Sequence, residues 1–341
     1  MSIGMCEKEN KPLISVAVIT YNQQDTIAQT LDSILMQKGD FNMELVIGED
    51  CSTDNTWNIC QDYAARYPDI VRLLPNTHNL GIMGNYARTV LACSGEFVGE
   101  IAGDDYYYDD HALEKQVSFL QQRPDYGFMT VNGYRYYVRR NKLVLGLAPA
   151  HPYTDGNVKP FYFSEHYSGG VYATPVGVMF RRSLLKHVDF NEIIKRRLPV
   201  EDYPLQAIFS QYTKFGWLPD PLVVYRIYKE SATFLSFNSP KYLSYHKGLM
   251  DTRRYLNELF PQDACFTEPQ MLDYEFYKEF QLYLHRMQYR RAKSLINKYR
   301  SLIGDQPHFN QAKRFSKTWL HFFLFSLYKK MVFLKDRYSR T

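Results

Sequence analysis

"LISVAVITYNQQDTIAQTLDSIL", residues 13–35, changes its period halfway along. From Leu13 to Thr20 the run is apolar and largely β-branched, as in a strand buried on both faces of a parallel sheet. Ile27, Leu31, Ile34 and Leu35 then recur on one helical face, and Asp25 is placed to cap that helix. The same alternation continues outward. "MELVIGE", "IVRLL" and "EFVGEIA" read as strands, separated by the helical stretches "TWNICQDYAARY" and "GNYARTVLACS". Strands alternating with helices of about a dozen residues predict an α/β fold, a Rossmann-like, mostly parallel sheet flanked by helices.

From Tyr126 to Tyr228 the pattern turns to short strands and loops, including "YGFMTVNGYRYYV", "SEHYSGGVYATP", "VGVMFRR", "FGWLP" and "LVVYRIY". Beyond Pro240 it reads as helical to the end, with a change of character near residue 235. The expected organisation is an N-terminal tail (1–12), one domain over 13–235 whose pattern changes between 125 and 126, and a basic helical C-terminal region (236–341). At 341 residues with 45% hydrophobic and 23% charged residues, the chain has the composition of a globular protein. Its 29 Tyr and 22 Phe suit either a sugar-binding surface or large aromatic cores. Five scattered cysteines lack zinc spacing, and with no signal peptide in view they read as free thiols of a reducing cytoplasm.

In open sheets of this class the site lies off the carboxyl ends of the strands. Tyr21 and Asn22 follow the first strand, "GEDCSTDNT" the second, "NTHNLGIMGNYAR" the third and "AGDDYYYDD" the fourth. A carboxylate beside an aromatic ring can hold a nucleoside, so Tyr21, Asn22 and Asp50 are candidates for that contact. Adjacent Asp104 and Asp105 can hold Mg²⁺ or Mn²⁺ against a diphosphate. Asn79 and Gly81 fall where the backbone can approach a ligand closely. Asp109 and Asp110 read as a solvated turn, Asp110 capping the helix "ALEKQVSFL". Neither a Gly-x-Gly-x-x-Gly turn nor a Walker loop follows the first strand, which removes the dinucleotide and NTPase readings.

In this order and at these spacings, "VITYN", "EDCSTDNT", "NLGIMGNYAR", "IAGDDY" and later "VED" resemble the inverting family 2 glycosyltransferases with the A-type nucleotide-diphosphosugar fold. The resemblance covers roughly residues 13–235 and implies a catalytic domain there, with 13–125 its nucleotide-binding half and 126–235 its acceptor-binding half. It implies that Thr20 and Tyr21 border the nucleobase and that Asp50 hydrogen-bonds it. Asp105 is then the metal ligand, with Asp104 towards the ribose and diphosphate. Asp202 in "PVEDYPLQ" is the implied catalytic base, with Glu201 its rival and helix capping the bland reading of both. Ala102 and Cys51 stand where many members carry Asp and Gly. The Gln-x-x-Arg-Trp signature of processive synthases is absent. The expected activity is therefore transfer of one sugar from a nucleotide-sugar, a UDP-sugar by family analogy, to a glycan or lipid-linked glycan acceptor. A catalytically inactive nucleotide- or glycan-binding protein on the same fold is the alternative.

The net charge of +5 hides an asymmetry. Between Gln281 and Thr341, fourteen Lys or Arg face only Asp305 and Asp336, a local +12 that leaves −7 for the remainder. "WLHFFLFSLYKKMVFLKDRY" (319–338) concentrates aromatics between basic groups. Its longest uncharged run is about half of the ~20 residues that span a bilayer. The expectation is a helix lying on an anionic membrane, with Trp319, Phe322, Phe323 and Phe325 burying apolar area. The competing reading packs that helix on the protein. No nucleic-acid module is recognisable, so the chain is expected in the cytoplasm, peripheral on the inner face of the membrane.

Overall fold

The computed structural model describes residues 11, 13–147, 156–157, 176–228, 237, 239–264 and 266–340, the last nine as backbone alone. Cys6, Cys265, the Gly/Ser/Tyr loop with His166 and the change of character near residue 235 lie outside the described residues. These divide into two compact units, 11–228 and 237–340.

The first unit is built on a nine-stranded sheet. Strand β1 (Leu13–Thr20) lies between β2 (Asn42–Glu49) and β4 (Phe97–Ala102), parallel to both, and β3 (Val71–Pro75) is parallel to β2. Ile14, Val16 and Val18 are fully buried, as a strand covered on both faces requires. Ile27, Leu31 and Ile34 of helix α1 (Ile27–Leu35) are also fully buried within the same core. Each such side chain contributes about 1.5–3 kcal/mol by leaving water. Helices α2 (Thr56–Arg66) and α3 (Gly81–Ala92) complete the alternation.

The register fixes where the strands stop. Thr20 pairs with Glu49, Glu49 with Pro75, and Ile19 with Ala102. The four loops that follow therefore leave from one edge of the sheet. The other half holds β5 (Tyr106–Tyr107), α4 (Ala112–Gln121), β6 (Tyr126–Tyr137), β7 (Lys142–Leu145), β8 (Val178–Arg181), α5 (Phe190–Lys195), α6 (Asp202–Phe209) and β9 (Lys214–Ile227). "FGWLP" and "LVVYRIY" form the single strand β9, parallel to β6 with irregular register. Strand β8 runs antiparallel to β4 and β6, and β5 antiparallel to β9.

Two helix starts differ from expectation. Helix α1 is preceded by Thr26 rather than capped by Asp25, and the Thr26 hydroxyl donates 2.9 Å to the Gly103 carbonyl. Helix α4 begins after His111. It is Asp109 Oδ1 that accepts the His111 N–H at 2.7 Å, while Asp110 Oδ2 accepts from Lys38 Nζ at 2.6 Å. At α4 a partner distant in sequence, Lys38, takes the carboxylate that local pattern assigns to capping.

The second unit is helical: α7 (Tyr242–Leu259), α8 (Glu268–His285), α9 (Tyr289–Ile303), α10 (Pro307–Phe315) and α11 (Trp319–Arg340). Its core is aromatic, with Phe276, Phe280, Tyr299, Phe309, Phe322 and Phe325 packed together. The long basic amphipathic stretch is broken between α8 and α9, where Met287 takes the left-handed conformation (φ 56°). Phe322 and Phe325 are core residues rather than lipid-facing ones, which corrects half of the expected membrane contact. No helix among the described residues is long and apolar enough to cross a membrane.

Candidate active site

The loop after β1 is pinned to the loop after β2. Thr20 is buried, its hydroxyl 2.8 Å from Gln23 Oε1. Asn22 sits in the left-handed region (φ 53°), accepts the Thr53 N–H on Oδ1 at 2.7 Å, and donates its own N–H to Ser52 Oγ at 2.9 Å. Tyr21 stands exposed beside them. Glu49, buried, accepts the Cys51 and Ser52 N–H groups at 3.1 and 2.7 Å.

Asp50 ties the second loop to the third. Its Oδ1 accepts from Asn76 Nδ2 at 2.9 Å and from the Leu80 N–H at 2.7 Å, and its Oδ2 accepts the Gly81 N–H at 2.9 Å. Asn79 donates 2.9 Å to the Asp50 carbonyl and accepts the Gly81 N–H on Oδ1 at 3.0 Å. A carboxylate has about four lone-pair positions. Three accept protein N–H groups here, so Asp50 shapes this loop at the N-terminus of α3 first and can offer a ligand at most one position.

Gly103 begins the fourth loop under tight packing, since a Cβ there would lie 2.5 Å from Gln23 Oε1 and 2.7 Å from Thr20 Oγ1. The two aspartates after it differ. Asp105 is buried, and its Oδ1 accepts the Arg226 N–H from β9 at 2.8 Å. Asp104 is only partly covered. The buried Arg226 guanidinium donates to the Asp104 carbonyl and to Gln29 Oε1, and lies 4.7 Å from the Tyr106 ring centroid. One guanidinium faces two carboxylates. Burial raises the Asp104 pKa, with Arg226 opposing, and burial together with the Asp104 charge raises Asp105 well above the carboxylate range. Hard carboxylate oxygens with uncompensated charge suit a divalent cation such as Mg²⁺ or Mn²⁺, so the pair fits the expected metal.

Glu201 precedes α6 and Asp202 begins it, with Asp202 Oδ1 accepting the Tyr203 N–H at 2.7 Å. Burial and the neighbouring Asp202 push Glu201 up to about 7, and burial pushes Asp202 up to about 6. Both act on Glu100 of β4, which burial chiefly raises to about 8 while a hydrogen bond from Tyr86 Oη opposes. A third carboxyl therefore joins this end of the cluster, four residues before Asp104 on the same strand and loop. Sequence reasoning missed Glu100 and Arg226. Glu100 had a signal, the single charge inside the otherwise apolar strand β4, whereas Arg226 shares β9 with Lys214 and Asp220 and had none.

Asp109, Asp110 and His111 lie close enough to suggest a second cation site. Lysines already answer it, Lys115 reaching Asp109 at 2.8 Å and Lys38 reaching Asp110 at 2.6 Å. A cavity of about 500 Å³ opens beside these residues, lined also by Met36, Tyr108, Asp220 and Pro221.

The family model described as Glycosyl transferase family 2 matches residues 15–189, just over half of the chain. An uncharacterized protein of Mycobacterium tuberculosis is 38% identical over 112 residues, 33% of this chain and 32% of that relative. TuaG of Bacillus subtilis, named for teichuronic acid biosynthesis, is 33% identical over 113 residues, 33% of this chain and 44% of TuaG. These matches span between a third and a half of the relatives' length. Among solved structures, TarS residues 1–349 of S. aureus in complex with UDP-GlcNAc superposes with TM-score 0.56 at 18% identity, covering 88% of this chain and 81% of that one. At that identity the likeness is one of fold.

Proposed function

The chain belongs to glycosyl transferase family 2, and from that premise we propose that it transfers a single sugar from a UDP-sugar to a hydroxyl of a glycan or lipid-linked glycan, inverting the anomeric centre. The observation that carries this reading is the adjacent pair of buried Asp105 and partly covered Asp104 sharing one guanidinium, four residues beyond Glu100, on which the charges of Glu201 and Asp202 act. Choice of a UDP-sugar draws on the complex captured for TarS, and choice of a surface glycan on the name of TuaG.

In this reading Tyr21 stacks on the base. Thr20, Asn22, Asn79 and Gly81 set the loops around it, and Asp50 holds the floor with one lone pair left for the base. Asp105 would hold the cation with the oxygen that does not accept the Arg226 N–H, and Asp104, the more accessible of the pair, would lie towards the ribose and diphosphate and share the cation. A bound Mg²⁺ or Mn²⁺ supplies charge neutralisation for the departing diphosphate. Asp202 accepts the acceptor hydroxyl's proton as the new C1–O bond forms. The C1–O bond to phosphate breaks in the same displacement, and its electron pair leaves on the nucleoside diphosphate. Burial holds the Asp202 carboxyl above the usual carboxylate range, which makes it the better proton acceptor in the transition state. A protein that only held nucleotide would have no use for carboxyls buried this way. The reading puts transfer in the cytoplasm, at the inner face of the membrane.

Donor hydrolysis screened over UDP- and dTDP-sugars with Mn²⁺ and Mg²⁺ tests it. Metal-dependent release of UDP is the expected result. Failure of every nucleoside diphosphate to bind with either metal would sink the enzyme.

A further inference from the structure

Helix α11 has two apolar faces where one suffices for folding. Phe322, Phe325 and Ser326 are buried in the second unit's core. On the opposite side Trp319, Leu320, Leu324, Leu327, Tyr328 and Met331 are exposed, Trp319 by 57%, Leu324 by 54% and Met331 by 64%. At ~100° per residue these six fall within about half of the circumference, centred away from the buried set. Lys330 stands at one edge of that stripe by the same spacing, and Lys317 lies two residues before the helix begins. Beside its first residue a groove of about 540 Å³ is lined by Met287, Gln288, Tyr289, Arg290, Arg291 and Trp319. Among the described residues neither Arg290 nor Arg291 meets a carboxylate, and Arg291 reaches only Gln288 Oε1, at 3.3 Å.

We infer that the outer stripe of α11 lies in the interface of an anionic membrane, with a lipid phosphate seated in the groove between Arg290, Arg291 and Trp319. This deepens the membrane location given above and does not depend on the sugar-transfer chemistry. Charge decides the occupant. A second copy meeting this face would bring two regions of local charge +12 together, whereas an anionic bilayer offers apolar depth for the stripe and phosphates for its rim. Aromatic side chains at the level of the headgroups and a lysine at the edge match the layered polarity of such a surface.

The test uses the full chain with vesicles of phosphatidylcholine alone or with about a third phosphatidylglycerol. Binding is expected to the anionic vesicles, weakening as salt rises while a fraction persists, because screening acts on the cations and not on the buried stripe. Brominated lipid should quench fluorescence in the wild type and much less in Trp319→Phe. Leu320→Glu with Leu324→Glu should abolish binding. Arg290→Ala and Arg291→Ala should each weaken anionic-vesicle binding roughly fivefold, leaving neutral-vesicle binding as it was. All five positions are exposed, so circular dichroism and UDP binding should be unchanged in these variants. That separates failure of this inference from failure of the transferase. Equal binding to both vesicle types, or full binding by the double glutamate variant, would overturn it. So would a dimer, seen by light scattering, that the glutamates disperse.

Discussion

Two pairs of adjacent aspartates stand within one short stretch, Asp104–Asp105 and Asp109–Asp110, and the fold treats them in opposite ways. The second pair is answered by lysines. For Asp109 burial is outweighed by Lys115 and the His111 N–H, and for Asp110 the Lys38 hydrogen bond leads, so both sit below the usual carboxylate range. The first pair, with Asp105 buried and Asp104 partly covered, shares one guanidinium that donates to a backbone carbonyl, and both carboxyls are raised. In the second unit carboxylates are met directly by cations: Arg254 reaches Glu268, Glu275 and Asp251 at 2.7, 2.7 and 2.9 Å, and Lys247 reaches Asp251 at 2.6 Å. The contrast lies in direct ion pairing, which the described residues do not give to Asp104 or Asp105. Imbalance kept in a buried place is stability forgone, and the proposed chemistry is what explains its retention.

The largest expected effect lies at the unbalanced end. Asp202→Asn should lower transfer by ~10²- to 10⁴-fold while donor affinity, measured calorimetrically, stays within about twofold. Wild-type turnover in that variant would move the base to Glu201. Next, Asp104→Asn should remove most metal-dependent UDP binding, whereas Asp110→Asn should leave it intact. Equal losses would erase the distinction between the two pairs.

The same contrast can be sharpened with pH. Because the base must be ionised, kcat/KM should fall as pH drops through the range of about 6 to 7 in which Asp202 and Glu201 take up protons. Stability runs the other way. Glu100 has its folded pKa raised to about 8, so its contribution is fully present below the ordinary carboxylate pKa and is lost as pH rises through about 8. Glu100→Gln should therefore raise the melting temperature at pH 9 by a few degrees, and by less at pH 6. An unchanged difference between the two pH values would show that Glu100 is not held protonated. The smallest effect belongs to Lys38→Met. Its partner Asp110 is exposed, and the melting temperature should stay within about a degree.

What could be read from residues alone follows the range of the forces involved. The parallel sheet announces itself in "LISVAVIT" and its repeats because burial on both faces leaves an apolar run. The loops bearing Asp50 and Asp104 are legible because strand ends are local features. Arg226 is not, since it meets Asp105 across 121 residues and no local period encodes that contact. Glu100 is hidden for a related reason: its charge matters only beside Glu201 and Asp202, a hundred residues on. The tail shows the opposite limit. Its composition marks an apolar, basic helix, but only packing separates Phe322, which the core takes, from Leu324, which it leaves outside.

The bond between Asp105 and the Arg226 N–H has a consequence for the order of events on the ribosome. Strand β5 pairs Tyr106 with Val224 and Tyr107 with Val223, directly beside that bond. In a nascent chain released only as far as residue 125, Asp105 lacks that N–H partner. The loop bearing Asp104 and Asp105 is tied down only after β9 has emerged and closed back over some hundred residues, a slow, non-local step. A fragment ending at 125 should accordingly fail to bind UDP and metal, because the loop proposed to hold the cation is left untied.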